Sequence, residues 1–289
     1  MRGIILAGGS GTRLHPMTIG VSKQLLPVYD KPMIYYPLST LIFSGIREIL
    51  VISNPEYIEA YRALLGTGDE WGMHFEYKAQ DKPRGLADAF LVGEEFIKKE
   101  PVSLMLGDNI LYGSGMVDKL QRSAQLTEGA VIFAYQVKDP HRFGIVELGA
   151  DQKAISLEEK PVNPKSNFAV PGIYFYDGNV VEHARSLKPS PRGEIEITDL
   201  NRIYLEKGQL SVETLGRGVA WLDAGTPEAL LQAANFIQTV QERQGFMISS
   251  PEEIAYRMGF IDREQLAHLA KRMKNPDYAR YLKEIADEH

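Results

Sequence analysis

Short apolar segments alternate with helix-like stretches over the first hundred residues of the chain. Residues 2–6, 48–52 and 103–106 are short and mainly aliphatic, as buried strands are. Residues 33–43 and 86–97 lie between them and are predicted to be helices. Strands that alternate with helices are typical of a parallel sheet with helices on both faces. The pattern therefore predicts an α/β fold with a Rossmann-like, mostly parallel sheet flanked by helices.

The pattern changes after residue 130. Residues 130–137, 144–148, 154–158 and 170–175 are closely spaced, β-rich and joined by short turns. Such spacing favours strands that run antiparallel to one another. We therefore predict a mixed sheet, in which an antiparallel extension packs on the parallel part.

The last third of the chain is predicted to be mainly helical. Residues 226–244 indicate one long amphipathic helix, with Thr226 as its N-cap and Pro227 in its first turn. From Pro251 onward, two or three further helices are expected. Because no repeat or linker interrupts the chain, we predict a single domain over 1–289, made of a parallel part (1–130), an extension (131–245) and a helical tail (246–289).

Composition excludes several classes of function. The chain has 32 basic and 38 acidic residues, and a net charge of −6 argues against non-specific binding to nucleic acid or to anionic membranes. It contains no cysteine, which excludes disulfides, thiolate nucleophiles and Cys-ligated metals. No apolar run approaches the ~20 residues that a membrane helix needs. The apolar run 4–7 is too short for a signal peptide, so a cytoplasmic location is expected.

A glycine-rich segment, Ala-Gly-Gly-Ser-Gly-Thr-Arg-Leu, follows the first strand at residues 7–14. A strand followed by such a turn can direct several backbone N–H groups toward anionic oxygens. The segment ends in Gly-Thr-Arg, so it is not a Walker loop. Leu14 stands where the dinucleotide fingerprint needs a glycine, and Asp30 is therefore not assigned to a ribose. We expect a phosphate-binding loop, with a tight structural turn as the alternative.

Arg13 and Lys23 follow closely, within or just after this loop. Charged side chains in a loop are often only solvated. Beside an anion-binding turn, however, they would supply fixed positive charge for a triphosphate. The Arg13 guanidinium can bind two phosphate oxygens in its plane, and the Lys23 ammonium acts as a point charge.

Two acidic residues stand at the ends of predicted strands. Asp108 follows strand 103–106, and Asp223 follows the short apolar run 218–222. Mg²⁺ is commonly bound through one or two carboxylates together with substrate phosphates. The residues thus suggest a magnesium site, with the alternative that each aspartate only caps a turn or helix.

Three segments carry a resemblance to a known family. Gly8-Gly9-Ser10-Gly11-Thr12-Arg13-Leu14, Ser-Lys-Gln-Leu-Leu-Pro at 22–27 and Tyr-Asp-Lys-Pro-Met-Ile-Tyr-Tyr-Pro-Leu at 29–38 resemble the signature of nucleotidyltransferases that act on sugar phosphates. The resemblance extends over essentially the whole chain and is nearest to the glucose-1-phosphate thymidylyltransferase branch. It implies Mg²⁺-dependent transfer of a deoxythymidylyl group from dTTP to α-D-glucose 1-phosphate, giving dTDP-glucose and pyrophosphate. This reaction is the first step of deoxysugar biosynthesis of the dTDP-rhamnose type.

The resemblance also implies a role for individual residues. Residues 1–130 would bind mainly the nucleotide and residues 131–245 mainly the sugar. The implied nucleotide ligands are Leu6, Gly8, Gly9, Ser10, Gly11, Thr12, Arg13, Lys23, Gln80, Gly85 and Asp108. The implied sugar-phosphate ligands are Gly144, Glu159, Lys160, Val170 and Arg192. The implied metal ligands are Asp108 and Asp223, and the catalytic set is Arg13, Lys23, Asp108, Lys160, Arg192 and Asp223.

A few residues bear on substrate choice. The Gln80 amide can donate and accept toward a pyrimidine edge, and Gly85 would let the backbone approach the base. Asp88 replaces the glutamine that the family pattern leads us to expect, which puts fine base or ribose selectivity in doubt. Phe143 and Ala224 replace a common tyrosine and threonine, so each removes a hydroxyl and could change the sugar preference.

Two rival functions and a regulatory site complete the expectations. Uridylyl transfer is a near rival because uracil lacks only a methyl group, worth ~1–3 kcal/mol of discrimination. A catalytically silent relative that binds nucleotide sugars is the other. The family resemblance further implies a homotetramer with feedback inhibition by a downstream deoxysugar nucleotide, at a second site that would include Glu253 and Arg257.

Overall fold

The computed structural model describes residues 1–288. Its strands are β1 Arg2–Leu6, β2 Pro27–Val28, β3 Lys31–Pro32, β4 Glu48–Ser53, β5 His74–Ala79, β6 Val102–Leu106, β7 Asn109–Gly113, β8 Ala130–Gln136, β9 Gly144–Leu148, β10 Ala154–Glu159, β11 Phe168–Ala169, β12 Ile173–Tyr176, β13 Leu210–Thr214 and β14 Val219–Asp223. Its helices are α1 Tyr35–Phe43, α2 Ile58–Leu65, α3 Asp88–Val92, α4 Glu94–Ile97, α5 Met116–Ser123, α6 Val180–Ser186, α7 Ile197–Glu206, α8 Pro227–Gln244, α9 Pro251–Arg257, α10 Arg263–Arg272 and α11 Pro276–Asp287.

One ten-stranded sheet forms the centre of the fold, in the order β10-β9-β11-β8-β12-β6-β1-β4-β5, with β13 paired to β8. Strands β5, β4, β1 and β6 are parallel to one another, whereas β12, β8, β11, β9 and β10 continue the sheet with antiparallel pairings. The predicted mixed α/β sheet with an antiparallel extension is thus confirmed.

Helices cover both faces of the sheet because its central strands are apolar on both sides. In β1, Ile5 packs with α1 and the tail helices, while Ile4 and Leu6 pack with α3, α6 and α7 on the opposite face. All three side chains are almost fully buried. The alternation of side chains along one strand therefore builds two apolar layers around the sheet.

The structure differs from the predicted elements in a few places. The predicted helix 86–97 is broken at Gly93 into α3 and α4. A side chain at Gly93 would lie 3.1 Å from both the Ala89 carbonyl and the Ile4 side chain, so glycine permits close packing on the sheet. The predicted strand 170–175 begins only at Ile173, because residues 170–172 are not in a strand. Strands β5 and β13 were not predicted.

The predicted C-terminal helices are confirmed. Thr226 caps α8 by accepting a hydrogen bond from the Ala229 N–H at 3.3 Å, and Pro227 is its first residue. The tail forms α9, α10 and α11, and α9 packs on α1. Within residues 1–288, no helix combines the length and apolar character needed to cross a membrane.

Candidate active site

Polar residues follow the parallel strands at the edge of the sheet where these strands end. The glycine loop follows β1, Asn54 follows β4, Gln80 follows β5, and Asp108 lies just after β6. Ligands of open α/β sheets bind outside this edge. A cavity of about 690 Å³ lies there. The predicted residues that line it are Leu6, Gly8, Arg13, Lys23, Asp108, Gly144, Glu159, Lys160, Val170 and Asp223.

The remaining predicted residues lie beside this cavity or away from it. Gly9, Ser10, Gly11 and Thr12 form the exposed or half-exposed part of the glycine loop. The structure also places in the cavity wall side chains that the sequence did not indicate. The most polar of them are Gln24, Asn109, Arg142, Glu194, Glu196, Thr198 and Asn201.

The glycine loop is anchored at both ends. The Gly9 N–H donates to the Asn54 Oδ1 at 3.1 Å, and the Thr18 hydroxyl donates to the Gly11 carbonyl at 2.7 Å. Gly11 has a φ of 59°, and a side chain there would lie 3.1 Å from Thr18. Asn54 was not predicted, although its position directly after a parallel strand is a signal that could have identified it.

A buried polar network holds Lys23 in place. The Ser22 hydroxyl lies 2.7 Å from the Tyr61 hydroxyl and donates to the Gln24 Oε1 at 2.9 Å. Lys23 stands between these two residues in a short 3₁₀ turn, and its ammonium pairs with Asp108. Burial would raise the pKa of Asp108, but the Lys23 ammonium outweighs this effect and the pKa is lowered. Asp108 is therefore held ionised.

Asp108 and Asp223 converge although they come from distant parts of the chain. Strands β7 and β14 form a separate antiparallel ribbon in which Asp223 is opposite Asn109. The Ala224 N–H donates to the Asp108 carbonyl at 3.1 Å. Burial and the nearby Asp108 carboxylate raise the pKa of Asp223, whereas Arg142, at 3.2 Å, lowers it, as does Arg13.

This pair of carboxylates fits a magnesium ion. Their mutual repulsion, which contributes to the raised pKa of Asp223, would be relieved by a divalent cation. Among residues 1–288, no group of three or more His, Cys, Asp or Glu side chains comes close enough to hold a metal. Oxygens of substrate phosphates and waters would therefore complete the coordination shell, as is common for Mg²⁺.

Asn109 orients Asp108. The Asn109 Oδ1 accepts hydrogen bonds from the Trp221 indole at 2.7 Å and from the Gly172 N–H at 3.0 Å. Because its oxygen is engaged in this way, the Asn109 amide turns its nitrogen toward Asp108, and Nδ2 donates to the Asp108 Oδ1 at 2.9 Å. Sequence reasoning missed this role because both donors come from distant segments.

Glu159 is the centre of a second polar group in the cavity wall, the one predicted to bind the sugar phosphate. Its Oε2 accepts a 2.5 Å hydrogen bond from the Thr198 hydroxyl, and its Oε1 lies 3.6 Å from the Lys160 ammonium. A side chain at Gly144 would lie 3.3 Å from the same carboxylate. Arg192 is 3.4 Å from Glu159 but outside the cavity wall.

Gly85 lies against another segment of the backbone. Gly85 has a φ of 111°, and a side chain there would lie 2.4 Å from the Ile195 carbonyl oxygen. The Ile195 N–H donates to the Arg84 carbonyl at 2.7 Å, so two backbone segments pair at this point. Glycine is required here for close approach of the protein backbone itself.

The two departures from the family pattern on the sugar side lie in different environments. Phe143 lines the cavity and packs against Trp221 with ring centroids 4.9 Å apart. Ala224 is fully buried beneath the site, in a cluster with Met33 and Ile237. The missing hydroxyl at residue 143 is therefore on the cavity wall, whereas the one at residue 224 is in the core.

Glu253 and Arg257 lie away from this cavity. They line a smaller cavity of about 220 Å³ together with Phe43, Tyr112 and Phe246. The Arg257 Nε donates to the Glu253 Oε1 at 2.7 Å, and the guanidinium also pairs with Glu288.

Known proteins resemble this chain in sequence over nearly its full length. A family model described as nucleotidyl transferase matches residues 2–240. A glucose-1-phosphate thymidylyltransferase from Mycolicibacterium smegmatis is 59% identical over 287 residues, covering 99% of both chains. One from Neisseria meningitidis is 58% identical over 282 residues, covering 98% of both.

Solved structures agree with these relatives. A structure from Bacillus anthracis, provisionally described as a glucose-1-phosphate thymidylyltransferase in complex with sucrose, is 41% identical with a TM-score of 0.76. It covers 82% of this chain and 94% of that one. A UDP-glucose pyrophosphorylase complexed with UDP-glucose shares the fold, at 22% identity and a TM-score of 0.72, and covers 83% of this chain and 98% of that one. The chain therefore belongs to the nucleotidyl transferase family and, within it, to the glucose-1-phosphate thymidylyltransferases.

Proposed function

We propose that this enzyme transfers a deoxythymidylyl group from dTTP to α-D-glucose 1-phosphate, with Mg²⁺, and releases pyrophosphate. The observation that carries the proposal is the arrangement of charge in one cavity. Arg13, Lys23 and two converging carboxylates lie at one part of its wall, and Glu159 and Lys160 at another. The product, dTDP-glucose, would enter deoxysugar biosynthesis of the dTDP-rhamnose type in the cytoplasm.

The reaction needs no catalytic base. A phosphate monoester has a second pKa of ~6, so the sugar phosphate oxygen is already ionised when it attacks the α-phosphorus. The main barrier is repulsion between two polyanions, since like unit charges at ~4 Å repel by ~4 kcal/mol at an effective dielectric constant of ~20. Arg13 and Lys23 offset this repulsion at the nucleotide, and Lys160 does so at the sugar phosphate. When bound between Asp108 and Asp223, Mg²⁺ supplies further positive charge at the phosphates.

Pyrophosphate release tests the proposal. The purified enzyme with dTTP, glucose 1-phosphate and Mg²⁺ should release pyrophosphate, and omission of any one of them should abolish release. Binding of dTDP-glucose without turnover would instead identify a silent relative. Side-by-side kcat/KM values with dTTP and UTP decide between thymidylyl and uridylyl transfer, which differ by one methyl group.

Arg142→Gln is expected to change the pH dependence of the reaction. Asp223 must be deprotonated to bind Mg²⁺, and its pKa is raised by burial and lowered by Arg142. Without the positive charge of Arg142, the pKa of Asp223 rises further. As the pH is lowered, the variant should therefore lose activity at a higher pH than the wild type does. The measurement is the acidic limb of the kcat/KM profile, with the exposed Arg217→Gln as control. An unmoved limb, or one displaced to lower pH, would contradict this role.

Glu159→Gln is expected to weaken sugar binding selectively. The change removes the charge-assisted hydrogen bonds that a carboxylate can accept from sugar hydroxyls, so KM for glucose 1-phosphate should rise about tenfold. KM for dTTP should stay within about twofold, because this residue lies at the sugar end. Glu158→Gln is the matched control, since successive side chains of a strand point to opposite faces. An equal increase in both KM values would show that Glu159 has a structural role instead.

A homotetramer and feedback regulation are further parts of the proposal. Helix α8 exposes Leu231 by 62% and carries several half-exposed apolar residues, which suits an interface between subunits. The half-exposed ones are Leu230, Ala234, Phe236 and Val240.

The cavity at Glu253 and Arg257 would hold the inhibitory deoxysugar nucleotide, with Arg257 facing its phosphates. Light scattering gives the subunit number, and inhibition by dTDP-rhamnose in wild type and Arg257→Ala tests the second site.

A further inference from the structure

Asp88 makes a direct contact with the residue expected to read the nucleobase. The Gln80 Nε2 donates a 2.7 Å hydrogen bond to the Asp88 Oδ2. Gln80 is only 7% exposed and Asp88 only 2%. The backbone of Gln80 is fixed as well, because its N–H donates to the Ser53 carbonyl at 2.8 Å. Gln80 is thus held at both its backbone and its side-chain nitrogen.

This contact determines which way the amide points. A carboxylate can only accept hydrogen bonds, whereas a glutamine side chain can both donate and accept. Asp88 can therefore face only the nitrogen of Gln80, and the oxygen must point the other way. A glutamine at residue 88 would allow both orientations. Arg84 supports the arrangement, since its Nε lies 3.4 Å from the same Asp88 oxygen and offsets the buried charge.

The free end of the amide lies next to the glycine loop, and Gln80 itself is outside the set of residues that line the cavity. The Gln80 Oε1 lies 3.6 Å from the position that a Gly8 side chain would occupy, and Gly8 lines the cavity wall. Within residues 1–288, no side-chain or backbone donor is hydrogen-bonded to this oxygen. Leu86, two residues before Asp88, contributes apolar surface to the same wall. A hydrogen-bond acceptor beside an apolar surface is thus presented at the nucleotide end.

We propose that Asp88 is a positioning residue for base selection: it fixes Gln80 with its oxygen toward the nucleobase, which favours bases with a ring N–H donor. Thymine and uracil carry a donor at N3, whereas N3 of cytosine is an acceptor and would face the Gln80 oxygen unpaired. The inference rests on the proposed transfer of a nucleotidyl group at this site. It concerns the choice of base and leaves the sugar and the chemical step unchanged.

The test compares kcat/KM with dTTP and with dCTP at saturating glucose 1-phosphate and Mg²⁺. Asp88→Asn keeps the shape of the side chain but adds a donor, so the Gln80 amide can turn over and offer N–H to cytosine N3. The kcat/KM with dTTP divided by the kcat/KM with dCTP should fall about tenfold, mainly through changes in the two KM values. KM for glucose 1-phosphate should change by less than about twofold. Asp81→Asn, an exposed carboxylate in the same loop, should leave the ratio unchanged.

A double-mutant cycle shows whether the effect passes through Gln80. In a Gln80→Ala background, Asp88→Asn should have no further effect on the dTTP to dCTP ratio. Asp88→Gln provides a second neutral variant if Asp88→Asn does not fold, and the ratio should fall in it as well. The inference is overturned if the ratio is unchanged in a folded variant, or if kcat/KM falls equally with both nucleotides. Absence of pyrophosphate release by the wild type with dTTP would instead overturn the proposed function.

Discussion

Asp108→Asn is expected to reduce kcat/KM for dTTP by about 10³-fold or more, the largest effect of any single change in the cavity. The substitution keeps the size of the side chain but removes its charge. The proposed Mg²⁺ loses one of its two carboxylates, and Lys23 loses the partner that holds its ammonium in place. Because two of the cationic groups that face the triphosphate, Mg²⁺ and Lys23, are affected at once, the loss should exceed that of a single electrostatic contact.

The measurement is initial-rate pyrophosphate release over a range of Mg²⁺ concentrations, together with thermal unfolding. Higher Mg²⁺ should recover only part of the rate, since Lys23 stays misplaced. Asp118→Asn is the control, because Asp118 is exposed on α5 and outside the cavity. If the Asp108→Asn enzyme is folded and has near wild-type activity, Asp108 does not have the proposed role at the metal and the phosphates.

Gly85→Ala is expected to destabilise the protein by about 3 kcal/mol or more and to lower Tm by about 6 °C or more. Two costs combine at this position. A φ of 111° is strained for any residue with a side chain. The added methyl group would also overlap the Ile195 backbone, at 2.4 Å from its oxygen, and no choice of rotamer can relieve a clash at Cβ. The segment between Gln80 and Asp88 should separate from residue 195, so KM for dTTP should rise about tenfold.

Gly208→Ala separates these two costs. Gly208 has a φ of 70°, but a side chain there meets no atom within 4 Å. Its variant should lose only about 1–2 kcal/mol, the cost of the backbone conformation. Differential scanning calorimetry gives the comparison. Equal destabilisation by the two substitutions would mean that the contact with Ile195 does not matter.

Local pattern was sufficient for the class of the fold and for several of its strands and helices. Aliphatic segments followed by polar residues identified β1, β4 and β6, and the acids and glycines after them identified one edge of the sheet. The break at Gly93 was not predictable in the same way. Residues 86–97 have helical periodicity, but the close approach of β1 prevents a side chain at residue 93.

Several features of the site also depend on contacts between distant segments. The contacts of Arg142 with Asp223 and of Trp221 with Asn109 join residues that are 81 and 112 positions apart in the sequence. Each of these residues is unremarkable in its own segment, because exposed arginines and strand tryptophans are common. No local signal therefore distinguishes them from solvated or core residues.

The sequence by itself determined the α/β class, the glycine loop, the family and the types of charge that the reaction needs, since these follow from periodicity and from motifs only a few residues long. The tertiary structure alone decided which charges meet. It placed Asp223 beside Asp108 through the β7–β14 ribbon, it assigned Gly85 to the Ile195 backbone, and it turned the Gln80 amide by means of Asp88. The physical reason is that hydrogen bonds and ion pairs act over a few ångströms, and only the folded chain brings these distant residues within that range.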